Sequence, residues 1–125
     1  MSELNALIDA HLAAYADPDA SRRAAAVQRI WAAGGQLIDP PAAAIGHAQI
    51  SQQADQLLAQ FPGHRFVRSS GIDSHHGFAR YGWQLLGPSG AVVLEGIDIA
   101  QLDPEGRLAR VTGFFGPLPA LDPAS

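Results

Sequence analysis

Three ionisable side chains stand where the surrounding pattern calls for an apolar residue, and they define the chemistry open to this chain. The first is Asp98. From Val92 to Leu102 the even positions are Val92, Leu94, Gly96, Asp98, Ala100 and Leu102, one side of a pleat that alternates every second residue, and Asp98 is the only charge on that side. The second is His11, which falls on the helical stripe of Leu4, Leu7, Ile8, Leu12 and Tyr15. The third is Asp39, followed by Pro40, whose ring forces the preceding residue out of the helical region and holds the acid extended. A carboxylate in an apolar setting can take a proton from a carbon next to a carbonyl, and does so better as its pKa rises. A buried carboxyl kept neutral can donate a hydrogen bond to a developing enolate or a polar ligand atom. An imidazole can orient an acid, donate to a ligand or shuttle a proton near neutral pH. Each residue also has a purely structural reading: Asp39-Pro40 as a strand-ending turn, Asp98 as a buried acid bonded to His11 or to backbone N–H groups, and His11 as a satisfied core residue.

Other polar clusters carry less. His75 and His76 are consecutive, so on a strand they point to opposite faces and cannot easily chelate one ion; no HExxH or i, i+4 histidine pair exists, and no metal site is expected. Ser69-Ser70-Gly71 and Gly87-Pro88-Ser89-Gly90 resemble neither a nucleophile elbow nor a phosphate loop. Trp31, Tyr81, Trp83 and Phe115 are core-type residues, but in a small fold with an open end the same aromatics can pack and contact a ligand.

The elements that must position these groups follow from periodicity. The N-terminal stripe predicts a helix, and Asp17-Pro18 predicts the N-cap and first turn of a second over about 18–33, burying Val27, Ile30 and Trp31, turning Arg22, Arg23 and Arg29 largely to water, and ending at Gly34-Gly35. A short strand over 36–39 stops at Pro40-Pro41. A third helix over about 47–61 places Ile50, Ala54, Leu57, Leu58 and Phe61 on one face and glutamines on the other. A strand over 64–72 and a turn at DSHHG lead into three antiparallel strands joined by GPSG and DPEG. Their inward faces are expected to carry Ala79, Tyr81, Trp83 and Leu85, then the Asp98 side, then Ala109, Val111, Gly113 and Phe115. Helices gathered before a run of strands predict an α+β fold, with three helices packed on one face of a curved antiparallel sheet. The outer face of the middle strand shows Val93, Ile97 and Ile99 beside Glu95 and Gln101, which predicts a homodimer through that face. The proline-rich tail, residues 117–125, should either lie over the sheet or be loose.

Composition excludes several classes. The 125 residues suit a single domain, and 47% hydrophobic with 16% charged residues is a globular balance. No apolar run approaches the ~20 residues that span a bilayer. The start, MSELNALIDAHL, has acids where a signal peptide needs positive charge, and zero cysteines suit a reducing interior, so a cytoplasmic protein is expected. A net charge of −4, with eight basic residues, all arginine, scattered from Arg22 to Arg110, argues against nucleic acid as partner.

Asp39-Pro40 after the second helix, RYGWQLLGPSGAVV across a hairpin and EGIDIAQLDPEGRLARVTGFFG at the end together resemble the nuclear-transport-factor-2-like superfamily, which includes ketosteroid isomerases, SnoaL-like polyketide cyclases and limonene epoxide hydrolases. The resemblance runs from His11 through Phe115 and implies a cystatin-like cone of sheet and helix with an internal pocket. Beside the isomerases, Asp39 matches the proton-shuttling aspartate and Asp98 the protonated acid that donates to the substrate oxyanion, a pairing of base and neutral donor. Tyr81, Trp83, Leu85, Val111, Gly113 and Phe115 match pocket-lining positions, and Trp31 joins them as a candidate contact. His11 stands where the isomerases have their oxyanion tyrosine. The epoxide hydrolases' pair of aspartates bridged by arginine is not visible. The resemblance implies either a cofactor-independent isomerase, cyclase or lyase acting on a small apolar carbonyl compound, or a non-catalytic module that binds a hydrophobic ligand or dimerises.

Overall fold

The computed structural model describes residues 2–40 and 42–122. Three helices, α1 (Ser2–Tyr15), α2 (Ala20–Ile30) and α3 (His47–Gln60), pack on one side of seven strands, β1 (Trp31–Asp39), β2 (Ala42–Ile45), β3 (Arg65–Arg68), β4 (Asp73–His75), β5 (Phe78–Leu86), β6 (Val92–Leu102) and β7 (Leu108–Phe115). The sheet order is β2-β1-β7-β6-β5-β3, with β4 also on β5. The expected α+β arrangement holds, but the sheet is mixed, because β1 joins β7 in parallel while every other pairing is antiparallel.

The second helix is shorter than its stripe suggests. Its N-cap is Asp19, whose side chain accepts from the Arg22 backbone N–H at 2.9 Å, while Asp17 accepts from the Asp19 N–H and grips the Arg22 guanidinium at 2.5 and 2.7 Å. At the other end Trp31 is already extended and begins β1, opposite Leu108 of β7. Gly34 and Gly35 are therefore not a helix stop; they lie in a strand whose register slips between Trp31 and Gln36. The bulge depends on bare backbone, since a Cβ on Gly35 would come 2.6 Å from the Trp31 ring. β2 adds an edge strand beyond those the sequence predicts. It folds back on β1, pairing Asp39 with Ala42 and Gln36 with Ile45; Pro41, expected to help stop the strand, lies outside the described residues.

Arg23 does not face water. It is buried, donates to the Asp17 carbonyl at 2.6 Å and pairs with Asp55 of α3, so it clamps α2 to α3, whereas Arg22 and Arg29 are exposed as expected. The inward set on β7 also shifts by one at its start. Gln101 faces Arg110 while Leu102 faces Leu108, which leaves Ala109 as the extra residue of a bulge and puts Leu108 in the core instead. Val92 is exposed, at the end of β6 where a second bulge interrupts the pairing with β5. The DSHHG segment is a hairpin, with His75 opposite Phe78 and both His76 and Gly77 at positive φ, as a two-residue turn of right-handed strands requires.

Ile8, Leu12, Val27, Ile30, Leu37, Ile50, Leu85, Leu108 and Val111 fill the space between helices and sheet. Leu118 and Leu121 in the tail are exposed; residues 123–125 of that tail lie outside the described residues. Among the described residues no helix is long and apolar enough to cross a membrane.

Candidate functional site

The concave side of the sheet, closed by α1 and α3, holds a cavity of about 300 Å³. Three adjacent strands build its polar floor. Asp98 on β6 pairs with Gly113 on β7, and on the far side of β7 the parallel register that puts Ile38 opposite Thr112 brings Asp39 alongside Gly113. The two carboxyl groups lean toward each other over that glycine. A Cβ at position 113 would overlap Oδ1 of Asp39 and come 3.0 Å from Oδ1 of Asp98, so a side chain there would drive the acids apart.

Burial raises both acids. Asp39 is pushed up to about 6 by loss of water alone. Asp98 is pushed up to about 7, chiefly by burial and further by the Asp39 charge, against the Tyr81 hydroxyl, which donates to its Oδ2 at 2.9 Å. That bond fixes the carboxyl and leaves Oδ1 on the side it shares with Asp39. The Trp83 indole N–H lies near enough to favour the charged form of Asp98 but falls outside hydrogen-bonding geometry, and it is a buried donor with no partner among the described residues. No arginine is among the described lining residues, so no cation there holds the pair ionised.

α1 contributes two groups one turn apart. His11 is buried, meets Trp31 edge-on at 5.4 Å between ring centroids, and is lowered to about 4 by burial, so it is neutral at physiological pH. No hydrogen bond joins it to Asp98 among the described residues; the partner of Asp98 is Tyr81. Tyr15 belongs to the apolar stripe of the sequence, yet its phenol lies in the field of both acids. Burial, Asp39 and Asp98 push its pKa above the ordinary value while the nearby Gln53 carboxamide of α3 pulls the other way, so it stays a protonated donor. Its place four residues after His11 was the available signal.

His11, Asp39, Asp98, Trp83 and Phe115 thus line one cavity. Gly113 lies between the acids and Tyr81 backs Asp98. Trp31, Leu85 and Val111, expected as ligand contacts, are instead packed in the core and are not among the lining residues: the bulge in β1 turns the Trp31 ring under Gly35, and the other two fill the layer beneath the helices. The pattern of α3 predicts its glutamines on the face away from the core, but Gln53, Gln56 and Gln60 line the cavity. Among the described residues no group of three or more His, Asp or Glu side chains could hold a metal ion, and His75 and His76 approach each other Nδ1 to Nδ1 at 3.0 Å.

No family model matches the sequence, and no curated protein does. Solved structures do match. A candidate isomerase of the SnoaL-like family from Agrobacterium tumefaciens str. C58 is 32% identical with a TM-score of 0.87, over 94% of this chain and all of that one. A candidate SnoaL-like polyketide cyclase from Jannaschia sp. CCS1 is 15% identical with a TM-score of 0.72, over 91% of this chain and 85% of its own. A protein with a ketosteroid-isomerase-like fold from Catenulispora acidiphila, in complex with trimethylamine, is 14% identical with a TM-score of 0.71, over 86% and 83%. The last two share the fold alone. The first shares sequence across nearly the whole length, and with it this chain belongs to the SnoaL-like family of the nuclear-transport-factor-2-like superfamily.

Proposed function

We propose that this protein is a cofactor-independent enzyme of isomerase, cyclase or lyase type that moves a proton on a small carbonyl compound held in the cone. The observation that carries the reading is the placement of Asp39 and Asp98 on either side of Gly113, inside a cavity with no arginine among its described lining residues and a neutral His11. Asp39, with the lower pKa, is largely ionised at neutral pH and takes a proton from the carbon beside the carbonyl. The C–H electron pair becomes the new C=C bond, and the carbonyl π pair moves onto oxygen. That oxyanion accepts hydrogen bonds from neutral Asp98, through the Oδ1 that Tyr81 leaves free, and from the Tyr15 hydroxyl. Asp39, now a carboxylic acid, returns the proton at another carbon of the enolate, so isomerisation needs no co-reactant. His11, neutral and against Trp31, shapes the pocket beside the donors.

Proton exchange into β-tetralone and a non-conjugated enone in heavy water, followed by NMR, tests the assignment. Asp39→Asn should slow exchange by about a hundredfold or more. An activity that survives this change unaltered removes Asp39 from the role of base.

We also infer that two copies pair through the convex sheet face, where Val93, Ile97, Ile99 and Phe114 stay exposed on adjacent strands. A chain without cysteine suits a reducing cytoplasm, where we propose that it acts.

A further inference from the structure

The acids say what could happen to a substrate; the opposite wall says what the rest of that substrate looks like. Gln53, Gln56 and Gln60 follow one another at i, i+3 and i+7 on α3, and all three line the cavity. Gln53 is half-buried and lies close to Tyr15, beside the acids, whereas Gln56 and Gln60 are exposed. The row therefore runs from the reacting end of the cavity to its mouth, over about 10 Å at the helical rise. Each carboxamide offers two donors and an acceptor oxygen and carries no charge at any pH. Among the described residues neither Gln56 nor Gln60 spends its carboxamide on another side chain. Facing them are Leu37, Phe66, Leu94 and Phe115, a wholly apolar surface.

A bare hydrocarbon ketone would leave that row of amides without ligand partners. An anionic compound would meet two acids and no cation. We propose that Gln53, Gln56 and Gln60 form a specificity wall selecting uncharged carbonyl compounds that carry hydroxyl or further carbonyl oxygens along one edge, the other edge lying on the apolar surface. The inference deepens the proton-transfer reading of the same cavity and rests on it. It departs from the apolar substrate that sequence alone suggests. The cavity volume is at the lower end of the range for small-molecule sites, which suits a compact molecule of this kind.

Three probes on one ring system test it: β-tetralone, its vicinal dihydroxy derivative and its carboxylic acid derivative, with binding read by calorimetry at neutral pH. The wild type should bind the dihydroxy ketone about tenfold more tightly than β-tetralone, and the carboxylate most weakly. The Q56L/Q60L double variant, checked as folded by its thermal melt, should lose that preference, its affinity for the dihydroxy ketone dropping to the wild-type level for β-tetralone. Equal or tighter binding of β-tetralone or the carboxylate by the wild type overturns the proposal. So does a preference that persists in the double variant, and so does no binding of any probe. Proton exchange measured on the same compounds keeps the two readings apart. A binding preference without exchange leaves the wall standing and removes the reaction; exchange without a preference does the reverse.

Discussion

Asp39 and Asp98 are spaced by a single backbone position, with Gly113 of β7 between a carboxyl on β1 and a carboxyl on β6. Glycine there is a packing requirement, because a methyl group would overlap the Asp39 carboxyl and crowd that of Asp98. Gly113→Ala should destabilise the protein by about 1–3 kcal/mol, as overpacking does, and push Asp39 toward the cavity mouth and water. Its pKa should then fall from about 6 toward the ordinary carboxylate value. Thermal denaturation and carboxyl NMR titration read the two effects. A variant that melts like the wild type, with Asp39 unmoved, would show that the acids do not meet over this residue.

The same pair fixes the pH dependence of any proton-transfer activity. The base must be ionised, which requires a pH above about 6, and the donor must be neutral, which requires a pH below about 7. The rate should therefore peak in a narrow band near neutrality and fall on both sides, with the two apparent values belonging to the coupled pair rather than to either acid. Asp98→Asn cannot ionise, so it should keep the acid limb and lose the alkaline one. Turnover at the optimum should drop by roughly tenfold or more, since the amide is a weaker donor than the acid. An alkaline limb that survives in this variant assigns it to another group.

Stability should depend on pH through Asp98. Its pKa is raised from 3.8 unfolded to about 7 folded, so the native state holds this proton more tightly. The neutral acid's contribution is fully present below about pH 4 and is lost as pH rises through about 7. Asp98→Asn stays neutral throughout, and the Tyr81 hydroxyl can still donate to the amide oxygen. The variant should gain on the wild type between pH 5 and pH 8.5, by at most about 3 kcal/mol, since only the two or so pH units from 5 to about 7 contribute, at about 1.4 kcal/mol each. Melting curves at both pH values measure it; a variant that gains nothing at the higher pH would mean that the charged form of Asp98 is well accommodated.

What the sequence discloses of this site is what strand and helix parity can reach. Alternation alone puts Asp98, Tyr81, Trp83 and Gly113 on the concave face, and the helical stripe does the same for His11. Pairings distant in sequence leave no such trace. Nothing local marks β1 as the parallel neighbour of β7, so Trp31, which fits a helical stripe equally well, reads as the last turn of α2. Ala42–Ile45 has no alternation and becomes a strand only because β1 offers it an edge. Arg23 reads as solvated until Asp55, brought over by α3, meets it. The glutamines mislead for the same reason: a polar helix face normally meets water, and here the curve of the sheet puts a cavity in front of it.

The convex face offers the last test. Ile97 and Phe114 lie directly opposite each other on β6 and β7 and keep 43% and 58% of their surface exposed, while Asp98, next along β6, points the other way into the cone. A patch this apolar at the centre of a sheet is what a second copy could cover, so the wild type at micromolar concentration should sediment as two chains of 13.1 kDa. Ile97→Lys places a charge at the middle of that contact without touching the cavity side. It should give a monomer whose melting temperature falls with the loss of association, since a partner that binds only the folded state stabilises it by mass action. A wild type that sediments as one chain removes the pairing outright. A lysine variant that remains dimeric moves the contact to some other surface.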